Sequence, residues 1–206
     1  MEKIGIMGGT FNPIHTAHLI LAESAREQAG LSKVMFLPSK RTQEKAGAYI
    51  LPDWERCVLV GLAIAGNPYF YLSKMEMERG GMTYTADTVS ALKQENPETE
   101  YYFIIGGDSL LSFENWSRPE VILANVHLLA TSRGGCEARR ISEAAKRLRE
   151  RYGADVILFD TPAMGISSTD IRTRCKKGSS LRYLVPAAVE EYLTKHGCYR
   201  ELLIGD

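Results

Sequence analysis

Short apolar runs of strand character alternate with helical stretches along the chain, and that alternation constrains the fold more than any other feature. Ile4–Gly8 reads as a buried strand, and a helix is predicted from Thr16 to Ala29, stopped by Gly30. Lys33–Leu37 is a second strand, ended by Pro38. Residues 38–52 show no period and read as a loop, and Asp53–Ala65 is a helix with Asp53 as its N-cap. Tyr69–Ser73, Tyr101–Ile105, Val126–Ala130 and Asp155–Phe159 are further strands. Ala86–Gln94, Glu137–Arg151, Thr169–Lys177 and Pro186–His196 are further helices, with Pro186 suited to a first turn. Strands that alternate with helices build a parallel sheet covered on both faces, with right-handed crossovers. No internal repeat, low-complexity tract or linker interrupts the pattern. One α/β domain over residues 1–206 is the simplest account, its last helices packed on one side.

Charge narrows the partners. Lys and Arg total 25 and Asp and Glu total 25, so no overall basic field recruits nucleic acid or a membrane surface. An anionic substrate must be held by local groups. Cys57, Cys136, Cys175 and Cys198 are widely spaced, without a C-x-x-C pair, and offer neither a zinc spacing nor a disulfide framework. The opening apolar run is too short for a signal peptide or a membrane span. The expectation is a cytoplasmic protein with reduced thiols. Oligomeric state stays open, a homo-oligomer included.

Two segments carry chemistry. The first strand runs into Gly8-Gly9-Thr10-Phe11-Asn12-Pro13-Ile14-His15-Thr16-Ala17-His18, and a helix follows. Glycines at a strand end let the backbone approach a phosphate, and a helix start supplies free N–H groups and partial positive charge. His15 and His18 stand at that helix start, where both can donate to phosphate oxygens. The pattern is neither the dinucleotide G-x-G-x-x-G nor a Walker loop, and H-x-x-H lacks the spacing of a metal-binding H-E-x-x-H. The second segment is Ile166-Ser167-Ser168-Thr169-Asp170-Ile171-Arg172. Its hydroxyls can cap a helix and face an anion, and Arg172 can fork onto phosphate oxygens about one turn in. Each segment taken alone has a plainer reading, a tight turn in the first case and a capping segment with a solvated arginine in the second.

Together, G-G-T-F-N-P-I-H-x-x-H and the late I-S-S-T-x-I-R resemble the nucleotidylyltransferase superfamily. Within it the chain is similar to bacterial nicotinate mononucleotide adenylyltransferases over nearly its full length. That likeness includes Leu37-Pro38, Met75-Glu76-Met77-Glu78-Arg79, Tyr84-Thr85-x-Asp87-Thr88, Ile104-Ile105-Gly106-Gly107-Asp108, Trp116 and Arg133. The resemblance implies a Rossmann-like, doubly wound parallel sheet. It implies transfer of the adenylyl group of ATP, with Mg²⁺ arriving on the ATP, to nicotinate mononucleotide. His15, His18 and Arg172 would be the catalytic groups. Gly8, Gly9, Thr10, Phe11, Gly106, Asp108, Ser167, Ser168 and Thr169 would complete the ATP site. Thr10, Lys45, Tyr84, Thr85, Asp108, Trp116 and Arg133 would hold the acceptor, and no dedicated protein metal site is implied. By residue chemistry alone, Asp108 also fits a helix cap, Trp116 a packed aromatic and Lys45 a solvated loop lysine. Asn12 and Ala17 replace the family's usual aspartate and glycine, and Thr42-Gln43-Glu44 replaces Pro-Pro-His before Lys45.

Overall fold

β1 (Lys3–Gly9) is apolar on both faces, as a strand covered above and below must be. It pairs in parallel with β2 (Lys33–Pro38) on one side and with β4 (Glu100–Ile105) on the other. β3 (Phe70–Leu72) lies outside β2, while β5 (His127–Ser132) and β6 (Val156–Asp160) extend the sheet beyond β4. The order β3-β2-β1-β4-β5-β6, parallel throughout, is the doubly wound Rossmann arrangement. Winding changes direction between β1 and β4, which opens a crevice at their carboxyl ends. The computed structural model describes residues 1–40, 49–132 and 136–200.

The helices in chain order are α1 (Thr16–Ala29), α2 (Asp53–Ile64), α3 (Met75–Glu78), α4 (Thr85–Glu95), α5 (Gly107–Leu111), α6 (Pro119–Asn125), α7 (Cys136–Tyr152), α8 (Ser168–Lys177) and α9 (Ala187–Lys195). Strand periodicity sorts them onto two faces. Met7, Val34, Phe36, Tyr102 and Ile104 point to one face, where they meet α1, α2, α8 and α9. Ile4, Ile6, Met35, Phe103 and Ile105 point to the other, where they meet α4 to α7. The C-terminal helices therefore do lie on one side, as the sequence implies.

Some boundaries differ from expectation. Asp53 is not the N-cap of α2. Pro52 takes that position with extended backbone, and the Asp53 carboxylate turns instead to Arg56, 2.5 Å away. Pro186 is likewise the N-cap of α9 rather than part of its first turn. α3, α6 and a 3-10 turn at Phe113–Asn115 have no counterpart in the sequence reading, and α5 answers to the helix that Asp108 fits as a cap, though Gly106 is its N-cap. Each is too short to display a helical period, and α6 starts abruptly at Pro119 after Arg118 in a left-handed conformation (φ 54°).

Candidate active site

The loop after β1 delivers two histidines to the crevice. His15 is the N-cap of α1, with extended backbone. Its backbone N–H donates to Nδ1 of His18 at 3.2 Å, and the two rings stack 3.7 Å apart. An accepting Nδ1 puts the proton of neutral His18 on Nε2, which is then a donor. Burial lowers His18 to about 3, with a smaller contribution from neighbouring His15. Burial alone lowers His15 to about 4. Both rings are therefore neutral at pH 7 and act as hydrogen-bond donors rather than cations. Nδ1 of His15 is buried without a hydrogen-bond partner among the described residues. Phe11 is itself buried and meets the His18 ring edge-on at 5.2 Å, so its side chain backs the histidine rather than lining the space. A Cβ on Gly8 would stand 3.3 Å from the Phe103 ring, which leaves the strand end bare and close to the crevice.

The distant Ser-Ser-Thr segment docks on this loop. Ser167 caps α8, accepting from the Asp170 N–H at 3.1 Å. Ser168 donates to the Pro13 carbonyl at 2.9 Å, and Arg172 donates to the Asn12 carbonyl at 2.8 Å and to the Thr169 hydroxyl at 3.1 Å. The N-termini of α1 and α8 thus converge on one stretch of backbone, two partial positive charges on the same region. Asn12 fits here as an amide. Its Nδ2 donates to the Tyr49 carbonyl at 3.0 Å, while Oδ1 accepts from the Leu51 N–H and the Tyr199 hydroxyl. An aspartate would set a bare oxygen against the Tyr49 carbonyl. Burial pushes the Tyr199 phenol far up, so it stays protonated and donating.

Between the carboxyl ends of β1 and β4 lies a cavity of about 530 Å³, whose lining includes Gly8, His15, His18, Gly106, Trp116 and Thr131. A larger recess of about 810 Å³ beside α2 shares none of these residues and is lined mainly by apolar groups such as Trp54, Val58, Leu72 and Met77. Chemistry favours the smaller space. Gly107 follows Gly106 into α5, and its N–H donates to the Thr131 hydroxyl at 3.1 Å. A Cβ on Gly107 would stand 2.6 Å from the Ile141 methyl and 3.2 Å from the Thr131 carbonyl, so α5 packs closely on its neighbours here. Asp108 is exposed on the first turn of α5.

A buried carboxylate stands between α3 and the start of α4. Glu76 on α3 accepts from the hydroxyls of Thr83 (3.1 Å) and Thr88 (2.9 Å). These threonines bracket Tyr84, the N-cap of α4, and Thr85, its first residue. The free N–H groups of α4 are thereby fixed in place. Trp116 is half-buried, edge-on to Phe103 and tilted on Phe113. Arg118 pairs with Asp87 at 2.8 Å beside the Tyr84 ring. Lys45 and Arg133 lie outside the described residues. Sequence reasoning gave no role to Glu76 or to Arg56. A charged residue inside a short helical run reads as solvated unless its partners are known.

Residues 6–174 match the model of the family described as cytidylyltransferase-like. The "Probable nicotinate-nucleotide adenylyltransferase" of Lachnoclostridium phytofermentans is 47% identical over 199 residues, spanning 97% of this chain and 100% of that one. Its namesake from Moorella thermoacetica is 41% identical over 98% of this chain and 94% of its own length. The chain belongs to the nicotinate-nucleotide adenylyltransferase family. The solved Plasmodium falciparum nicotinic acid mononucleotide adenylyltransferase, complexed with NaAD, superposes with a TM-score of 0.78 at 18% identity, covering 97% of this chain and 98% of that one. That likeness speaks for the adenylyltransferase fold. Among the described residues no group of three or more His, Cys, Asp or Glu side chains could hold a metal ion. Nor, among them, is any helix long and apolar enough to cross a membrane.

Proposed function

We propose that the protein transfers the adenylyl group of ATP to nicotinate mononucleotide, giving nicotinate adenine dinucleotide (deamido-NAD) and pyrophosphate. The observation that carries this reading is the convergence of the neutral His15–His18 pair, the first turn of α8 and Arg172 on the loop after β1, beside the cavity at the switch point. The acceptor's 5′-phosphate oxygen forms a bond to the α-phosphorus of ATP. The bond from that phosphorus to the bridging oxygen breaks in line, and the electron pair leaves with pyrophosphate. The acceptor is already an anionic nucleophile, so no side chain has to be activated. The protein's work is positioning and stabilising charge on the leaving group. His18 Nε2–H is suited to that charge, because a neutral donor gives a hydrogen bond without first losing a water shell around an ion.

ATP enters as its Mg²⁺ complex. The ion would keep phosphate and water ligands and would offset charge on the phosphates. The N-terminus of α4, held by Glu76, suits the acceptor's carboxylate, and Trp116 offers a face to its pyridine ring. The deciding experiment incubates the protein with ATP, Mg²⁺ and a panel of phosphate-bearing acceptors and assays pyrophosphate. Release with nicotinate mononucleotide above all others is the expected result. Release only with a different acceptor, or none at all, overturns the reading.

A further inference from the structure

Arg56 is the largest side chain fully buried in the described structure, with 0% of its surface exposed. It sits on the core face of α2, among Leu59, Val60 and Ile64, where packing alone calls for an apolar residue. Burying a cation is costly unless every donor finds an acceptor. Here the acceptors are chosen from three separate stretches of chain. Nη1 donates to the Thr10 carbonyl at 2.5 Å, Nη2 to the Ser39 carbonyl at 2.8 Å, and Nε to the Leu51 carbonyl at 3.2 Å. Nη2 also meets the Asp53 carboxylate at 2.5 Å, the one charged partner among these contacts. Thr10 lies in the turn after β1, Ser39 just beyond β2, and Leu51 just before α2. A further bond, from the Ser39 N–H to the Gly9 carbonyl at 2.8 Å, ties the two strand ends together. One planar fork therefore fixes the turn below the histidine pair to both ends of the chain between Ser39 and Leu51. Lysine gathers its three donors at one nitrogen and cannot span carbonyls placed around a planar fork.

We propose that Arg56 is a positioning residue of the nucleotide site: its guanidinium holds the Thr10 carbonyl, and with it the Gly9–Phe11 turn, in the shape that receives the triphosphate. The inference rests on the ATP-dependent function given above. It assigns Arg56 no contact with substrate. The role is geometric, so losing the fork weakens phosphate recognition specifically, whereas general loosening of the fold weakens all recognition alike.

The test is calorimetric titration of Mg²⁺–ATP into wild type, Arg56→Lys, Arg56→Gln and Asp53→Asn, with adenosine affinity measured by competition and melting midpoints recorded alongside. In Arg56→Lys the dissociation constant for ATP rises about tenfold while that for adenosine changes by less than about twofold. Asp53→Asn keeps the three carbonyl contacts and stays within about threefold of wild type for ATP. Wild-type ATP affinity in folded Arg56→Lys overturns the proposal, and so does an equal loss for ATP and adenosine. A loss in Asp53→Asn as large as in Arg56→Lys overturns it too, since the ion pair and not the carbonyl clamp would then matter. If neither Arg56→Lys nor Arg56→Gln folds at 25 °C, Arg56 is a fold anchor and the proposal falls. Wild type that binds no ATP removes the functional reading itself, and the inference with it.

Discussion

The loop after β1 and the start of α4 are held in place in different ways. Around the loop the contacts join residues far apart in sequence: Ser168 to Pro13, Arg172 to Asn12, Tyr199 to Asn12. Around the start of α4 most are shorter in range, with the Thr83 and Thr88 hydroxyls donating to Glu76 and Arg79 donating to Thr88, while the Arg118–Asp87 pair spans a longer stretch. The buried charge is also opposite in sign, a guanidinium behind the loop and a carboxylate behind the helix start. The contrast suits the ligands. A triphosphate needs several N–H groups and cations gathered from separate helices, because no single helix start neutralises that much charge. A pyridine carboxylate needs one helix N-terminus, correctly aimed, and an aromatic face.

The sharpest test of the loop is His18→Ala. The Nε2–H donor disappears while the Phe11 packing behind it is only trimmed. Loss of one transition-state donor costs about 2.7–4 kcal/mol, so kcat/KM falls by about 10²–10³ in a protein that still folds. Near-wild-type turnover by a folded variant, checked by circular dichroism, would remove His18 from the mechanism.

Acceptor choice comes next. Nicotinate mononucleotide is expected to outrun the nicotinamide form by about 10²-fold in kcat/KM at saturating ATP, because an amide turns N–H₂ donors toward the N–H donors of α4. Equal values would mean that the α4 terminus does not read the carboxylate. Arg172→Lys tests the loop again. Lysine keeps the charge but cannot reach both the Asn12 carbonyl and a phosphate, so kcat/KM for ATP falls about tenfold. If the lysine variant matches wild type, Arg172 is a surface charge and α8 is joined to the loop by Ser168 alone.

Glu76→Gln distinguishes the two regions most directly. The amide retains one acceptor but presents N–H₂ to one of two threonine hydroxyls, which loosens the start of α4. KM for the acceptor is expected to rise about fivefold, with KM for ATP within about twofold. An equal rise in both would show that the two regions move as one body.

Acid has the mildest effect. His15 at about 4 and His18 at about 3 lie below the ordinary value of 6.5, so the unfolded chain binds protons that the fold refuses. The stability tied to this pair is complete above about pH 6.5 and is lost as pH falls through the folded values. Melting midpoints followed from pH 7 to 4 should decline in wild type and less steeply in His18→Ala. Parallel curves would mean that other groups govern the acid limb.

The alternation of strands and helices placed the parallel sheet and both helix layers, because a strand buried on both faces and an amphipathic crossover each leave a pattern in the chain. Glycine at a strand end, a histidine pair at a helix start and a Ser-Ser-Thr cap were legible for the same reason: each is local chemistry with a fixed spacing. Phe11 shows the limit, since only the fold reveals that its side chain packs behind the His18 ring in the core. Asp53 shows it again, because a cap and an ion-pair partner look alike until Arg56 is seen beside it. Short helices such as α5 and α6 left too few residues for a period. What the chain determined by itself was the order of its elements and the chemical groups at their ends. Only the tertiary structure decided that burial lowers His15 and His18, that Asn12 bonds through both ends of its amide and that Arg56 reaches three carbonyls. Each of these depends on burial and on partners brought together by the crossing of distant segments, and neither quantity is a property of a residue or of its spacing.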